Sequence, residues 1–298
     1  DFNLSFWGDI ERMLGFFHVF HFLILYIIII TVMKEWKDWK MLFLSSVSIS
    51  TLVALYAIFA HKYDSTIGNL AYVAAYFIFN IYFALLLFAK SKNKWRGFYA
   101  VPILIMGYVF WKANISGAVA GLGFSFLVLF LLYAFLNKNK KVKISAIALL
   151  IILSTSFLGL WMGRNSEFVE NQKWLKPLHE ISLSKNTFQT RLISWKAAWS
   201  NFGEDPILGT GYGNYALIFD KYFDSSFYDY SYYETYFDRA HNNVVEIFAT
   251  TGVAGLASYL LIFVALYYYL IKGYFKKKIG LHDFVLVSCL IIAYFVQN

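Results

Sequence analysis

The chain alternates long apolar runs with short charged connectors. The runs lie near 15–33, 41–60, 69–89, 98–114, 116–136, 144–163, 243–271 and 282–298. Most match the roughly 17–25 residues that a helix needs to cross a bilayer core. Segments this apolar must be helical, because lipid offers unpaired backbone groups no partner. The pattern predicts an all-α polytopic membrane protein of about eight transmembrane helices. The fourth run is the shortest and carries Lys112 and Asn114 at its end. The start at Asp1 and the end at Gln297-Asn298 within an apolar run lead us to expect a fragment, with further spans at one or both ends.

The pattern breaks once, over residues 164–241, and divides the chain into 1–163, 164–241 and 242–298. Loops this long in compact proteins are usually functional. Within the interruption, TFQTRLISWKAAWSNF (187–202) reads as an amphipathic helix with Asn186 or Thr187 as its cap. Leu192, Trp195, Trp199 and Phe202 form its apolar stripe, which suits a membrane surface or the flank of the spans. Pro206 and three glycines then require a turn, PILGTGYGN, and NYALIFDKYF (214–223) predicts a second short helix.

Composition supports the membrane reading: 59% of residues are hydrophobic and 15% charged, against about 25% charged in soluble domains. The net charge of +8 does not mark a nucleic-acid binder. Fifteen of the 26 Lys and Arg residues sit in four connectors, 34–40, 90–96, 138–143 and 272–278. These fall on one side if every span crosses, and the positive-inside rule makes that side cytoplasmic. The 164–241 loop then faces outward. The lone Cys289 lies in an apolar run and reads as a packing residue.

Candidate chemistry gathers at the loop. His241 stands where the loop enters an apolar helix, in RAHNNVVEIFATTGVAG, and an imidazole there can exchange a proton near neutral pH. An interfacial helix cap would explain the same position. Arg191 and Arg239 are able to hold phosphate bidentately, and pairing of Arg239 with Asp238 or Glu234 is the plainer alternative. GTGYGN resembles a phosphate loop only weakly, since no strand precedes it; a tight turn bringing Arg191 toward His241 accounts for it better. Tyr228, Tyr230, Tyr232, Tyr233 and Tyr236 fit an interfacial aromatic belt, with one or two facing a ligand. Arg12 and Lys112, at outer helix ends, anchor in headgroups or reach an anionic substrate. Gly252-Val-Ala-Gly255 reads as helix packing. Glu204-Asp205 has no evident partner, and no His/Asp/Glu set shows metal-ligand spacing.

Arg191, Trp195 and PILGTGYGN, followed by RAHNNVVEIFATTGVAG opening a span, resemble the O-antigen ligase family of bacterial membrane glycosyltransferases. That superfamily also holds Wzy-type polymerases and protein O-oligosaccharyltransferases. The resemblance rests on a long outward loop ending in His241-Asn242, with Gly252 eleven positions on. FWGDIERMLGFFHVFH (6–21), STIGNLAYVAAYF (65–77) and the terminal YFVQN are similar to other family segments.

The resemblance implies a GT-C-like helical fold in the bacterial inner membrane, with the active site on the extracytoplasmic face. It implies inverting, metal-independent transfer, without a cofactor, of a glycan from undecaprenyl diphosphate. The acceptor would be a hydroxyl on a glycolipid, a glycan or a protein. It assigns His241 as base or orienter, Arg191 to the diphosphate and Arg239 more weakly to the same group; Asn242, Tyr233 and Tyr236 are our own candidates for glycan or acceptor contacts. Many members have Ser-Arg-Gly where this chain has Ile115-Ser116-Gly117; Lys112 or Arg12 would have to replace that charge. Readings outside this class are a transporter, which spans almost free of charge disfavour, and a non-catalytic scaffold.

Overall fold

The computed structural model describes residues 2–8, 15–92, 94–163, 166, 172, 175, 186–233 and 236–298. Among them there are helices and no strand: α1 (Phe2–Trp7), α2 (Phe16–Val32), α3 (Trp36–Phe59), α4 (Leu70–Lys90), α5 (Ala100–Ala113), α6 (Ser116–Leu136), α7 (Lys140–Met162), α8 (Asn186–Asn201), α9 (Tyr215–Lys221), α10 (Asn243–Phe275) and α11 (Leu281–Gln297). Each apolar run carries a helix. Five of these, α3, α4, α6, α7 and α10, are long and apolar enough to cross a membrane. The chain is therefore a multi-pass helical membrane protein.

Of the eight expected spans, five are supported as full crossings; α2 and α11 stand at the lower limit of the crossing length and α5 falls short of it. Helices α2 and α11 have 17 residues each and α5 has 14. At 1.5 Å per residue, α5 reaches only about 21 Å of a core roughly 30 Å thick. A 3-10 turn over Lys94–Tyr99 takes up the residues before it, and Asn114 stops it in a left-handed conformation (φ 58°).

Two compact units divide the chain at residue 46. In the first, α1 and α2 share ring contacts, among them Trp7 with Phe17 at 4.8 Å. In the second, α6 and α11 run antiparallel in close contact. A Cβ on Gly121 would come within 2.7 Å of the Ala293 carbonyl oxygen, so glycine sets the approach. At the other end of this pair, Tyr133 hydrogen-bonds His282 (2.8 Å). Helix α4 joins through Tyr82, which donates to Ser125 (2.7 Å), and through the Lys90–Asp283 ion pair (2.9 Å). The ends of α4 and α6 and the start of α11 thus meet, and the basic connectors 90–96, 138–143 and 272–278 gather at that end. The start of α10 lies at the opposite end, where the Asn243 N–H donates to the Asn298 carbonyl (3.2 Å).

Helix α10 is too long for a simple span. Its 33 residues would extend about 50 Å. It breaks at Gly252 (φ 63°, ψ −165°), leaving 253–275 to cross the core. A break leaves backbone groups unpaired, and near lipid these must find partners. The PILGTG segment supplies them. The N–H groups of Thr210 and Gly211 donate to the carbonyls of Ala249 (3.4 Å) and Thr250 (2.8 Å). The N–H groups of Val253 and Ala254 donate to the carbonyls of Pro206 (2.9 Å) and Ile207 (3.2 Å). The two missing helical rungs, 253 to 249 and 254 to 250, are therefore replaced one for one.

The crossing needs glycine on both strands of chain. A Cβ on Gly209 (φ 69°) would lie 2.7 Å from the Gly252 nitrogen, and one on Gly252 would meet the Ile207 carbonyl and lie 2.7 Å from the Leu208 nitrogen. Gly252, expected as a helix-packing residue, is instead the hinge at which loop and span interlock.

Substitution should separate these roles. Gly252→Ala and Gly209→Ala are expected to lower the melting temperature of the detergent-purified protein by several degrees. Each combines left-handed strain of about 1–3 kcal/mol with a backbone clash. Gly123→Ala in α6, whose Cβ would meet nothing within 4 Å, should leave it unchanged or slightly raised.

Candidate active site

The site is built around the entry to α10. Asn242 caps the helix, its side-chain oxygen accepting from the Val245 N–H (3.0 Å). The cap role open to His241 thus falls to its neighbour. His241 adopts a left-handed backbone (φ 52°) and is exposed, its ring edge-on to Phe237 at 4.8 Å. Such a φ is uncommon for a non-glycine residue and costs energy.

Neighbouring contacts hold it. The Ala240 peptide is gripped at both ends: its N–H donates to Glu246 Oε2 (2.7 Å), and its carbonyl accepts from Trp195 Nε1 (2.8 Å). The other oxygen of Glu246 accepts from Arg239 Nη1 (2.9 Å). Glu246 and Ala240 are both buried. A buried carboxylate is tolerable only when paired and hydrogen-bonded, and one carboxylate here fixes both Arg239 and the peptide before His241. Arg239 thus pairs with a residue within the helix, Glu246; Glu234, one of the partners expected for it, lies outside the described residues.

Helix α8 approaches from the other side. Its buried face is Thr190, Ser194, Ala197, Ala198 and Asn201, small and polar residues that permit close approach. Tyr215, at the start of α9, donates to the Ser194 carbonyl (2.8 Å). Burial pushes its phenol far above the ordinary range, so it stays a neutral donor. Below lies an aromatic core in which Phe237 contacts Phe219 (5.4 Å) and Phe227 (5.3 Å).

Of the stripe expected to meet a membrane surface or the flank of the spans, Leu192 and Trp199 are exposed, Trp199 by 69% and stacked on Phe202 and Phe248, while Trp195 and Phe202 are half-buried. Trp195 is fastened to Ala240. Arg191 is exposed and lies one turn before Trp195, about 6 Å away on the same helix face.

The start of α6 reaches the same region. The Cβ position of Gly117 lies 3.4 Å from the Gln297 carbonyl, and Asn298 bonds the first residue of α10. Ser116, where the resemblance leads us to expect arginine, therefore sits next to the elements that carry His241. Lys112 lies in the last turn of α5 with its ammonium over the Tyr108 ring (5.7 Å). Arg12 lies outside the described residues. Tyr233 and Tyr236 are exposed, Tyr233 fully. The structure thus brings Arg239, His241 and Asn242 together with the helix carrying Arg191.

Sequence reasoning missed three parts of this arrangement. Trp195 was counted as apolar, although its indole N–H is a donor that must be satisfied when buried. Glu246 was visible as the one carboxylate in an apolar stretch. Glu204 does have partners: Lys221 (2.5 Å) and Tyr222 (2.6 Å). These hydrogen bonds, that from Lys221 first, hold its carboxyl below the usual range.

Comparison with known families matches residues 114–260 to the O-antigen ligase family. No curated protein matches the chain. The matched region runs from the end of α5 through α6, α7, the loop, the His241 turn and the Gly252 hinge into the span beyond. Its members are glycosyltransferase-like ligases and polymerases that act with lipid-linked glycans at the membrane. This match over residues 114–260 supports the assignment of that region to the O-antigen ligase superfamily.

Proposed function

We propose that the protein transfers a glycan from undecaprenyl diphosphate to an acceptor hydroxyl, on the extracytoplasmic face of the bacterial inner membrane. The observation that carries this reading is the Trp195–Ala240 hydrogen bond (2.8 Å). It fastens the helix bearing Arg191 to the peptide before His241, so that a fixed charge and an imidazole share one region. The gathering of basic connectors at the opposite end supports the assigned face.

In the proposed reaction, His241 accepts the proton of the acceptor hydroxyl. The freed oxygen attacks the anomeric carbon from the side opposite the phosphate, which inverts that centre. The carbon–oxygen bond to the diphosphate breaks, and its electron pair leaves with the phosphate oxygen. Arg191 stabilises the developing charge, the part that preorganised cations play in such departures. Arg239, neutralised by Glu246, acts as a positioning residue. Tyr233, Tyr236 and Asn242 border the path of the glycan, and Lys112 or Arg12 supplements the charge missing at Ser116. Polymerase and protein O-oligosaccharyltransferase readings share these steps and differ in the acceptor. Surface glycans and glycoproteins of a deletion strain, compared by mass spectrometry, distinguish lost chain length from lost lipid-attached or protein-attached glycan.

In membranes supplied with lipid-linked donor, His241→Ala and Arg191→Ala should each lower transfer by at least about a hundredfold; wild-type rates in both would sink the assignment. Arg239→Lys keeps the ion pair and should retain most activity. Arg239→Ala and Glu246→Ala should fall together, and their double variant should be no worse than either alone. For the face, cysteines placed at Tyr233 and at Lys141 should differ in intact cells. An impermeant maleimide is expected to label the first and spare the second, and the reverse pattern would invert the topology.

A further inference from the structure

A concavity lies within the loop, on a different face of α8 from Arg191 and Trp195. It is an open cleft of about 420 Å³ between α8 and residues 222–225. That volume falls in the range of about 300–1,000 Å³ found for small-molecule sites. One wall is Ile193, Lys196 and Ser200, at i, i+3 and i+7 of α8; the other holds Tyr222, Asp224 and Ser225. This face lies about 80° around the helix from the exposed Leu192 and Trp199, taking 100° per residue.

The lining selects a ligand class. Lys196 and Asp224 face each other at 3.4 Å, a loose pair with both side chains partly exposed. Hydrogen bonds from Ser226, its backbone N–H first, hold the Asp224 carboxyl below the usual range, so it is an acceptor. Lys196 supplies donors and the serine hydroxyls supply either. The pair is neutral overall: an anion would meet Asp224 and a cation would meet Lys196. Tyr222 adds an aromatic surface, its hydroxyl tied to Glu204 (2.6 Å) and its ring thereby fixed. Matched donors and acceptors, no net charge and a ring wall suit a neutral molecule with vicinal hydroxyls and apolar C–H faces.

We propose that this cleft is a saccharide subsite, distinct from the His241 centre, that holds a neutral sugar unit of a glycan engaged by the enzyme. The assignment of that glycan rests on the transferase reading above; the cleft's affinity for sugar does not.

The test is saturation-transfer NMR on the full detergent-solubilised chain with cellobiose, lactose and chitobiose. Wild type should bind at least one of them. Asp224→Asn, which keeps the side-chain oxygen that accepts from Ser226, and Lys196→Met should each weaken binding about tenfold, the loss expected for a hydrogen bond to a charged group. His241→Ala should bind like wild type. Absence of binding to wild type, or equal binding by both cleft variants, overturns the proposal. Loss of binding in the cleft variants upholds it even if wild type transfers no glycan, in which case only the transferase reading fails. In transfer assays, a raised KM for donor alone assigns the sugar to the donor glycan, and a raised KM for acceptor alone assigns it to the acceptor.

Discussion

The structure depends on a broken helix that must be repaired. At Gly252, α10 gives up two backbone rungs close to where it enters lipid, and lipid cannot replace them. The PILGTG segment does so with two N–H groups and two carbonyls of its own. This fastens a loop of nearly eighty residues to a fixed level of a span. Because the two chains cross at backbone distance, glycine is required at 209 and 252 together. Helices α8 and α9 hang from that crossing, and their aromatic core packs beside the first turns of α10.

A second constraint acts within the space the first one defines. Glu246 is buried on the first turns of α10, and a carboxylate there must be compensated. It takes Arg239 and the Ala240 N–H as partners, while Trp195 takes the Ala240 carbonyl. These bonds restrain the chain so tightly that His241 can hold a left-handed backbone at the surface. The same bonds neutralise Arg239. In the proposed reaction, Arg191, which stands one turn from the Trp195 anchor, faces the leaving diphosphate. The start of α6, with serine where the resemblance led us to expect arginine, lies beside this centre and not at a distance from it.

Much of this was legible in the sequence. Apolar run length placed all the long helices, since helical closure of the backbone is the only solution lipid permits. Periodicity placed α8 within a residue, and the flanking turn signals placed α9. The gathering of three basic connectors at one end of the second unit follows from alternate crossing. The resemblance at His241-Asn242 and Gly252 led to the family that residues 114–260 match. On α8, periodicity located the apolar stripe, of which Leu192 and Trp199 are exposed, but not the face that packs: that face is small and polar, because close approach to Tyr215 depends on side-chain size and hydrogen bonding.

What the sequence determined by itself was local: which segments are helical, which connectors are charged, and where a turn must fall. Those properties follow from neighbours along the chain and from the solvent each segment can bear. What only the tertiary structure decided was pairing across distance. Gly209 and Gly252, Trp195 and Ala240, and Glu246 and Arg239 have partners 43, 45 and 7 positions away. Each glycine alone is compatible with an ordinary turn or helix contact, and each polar group with solvent. Their roles arise only when a broken helix offers backbone groups to one turn of the loop and to no other.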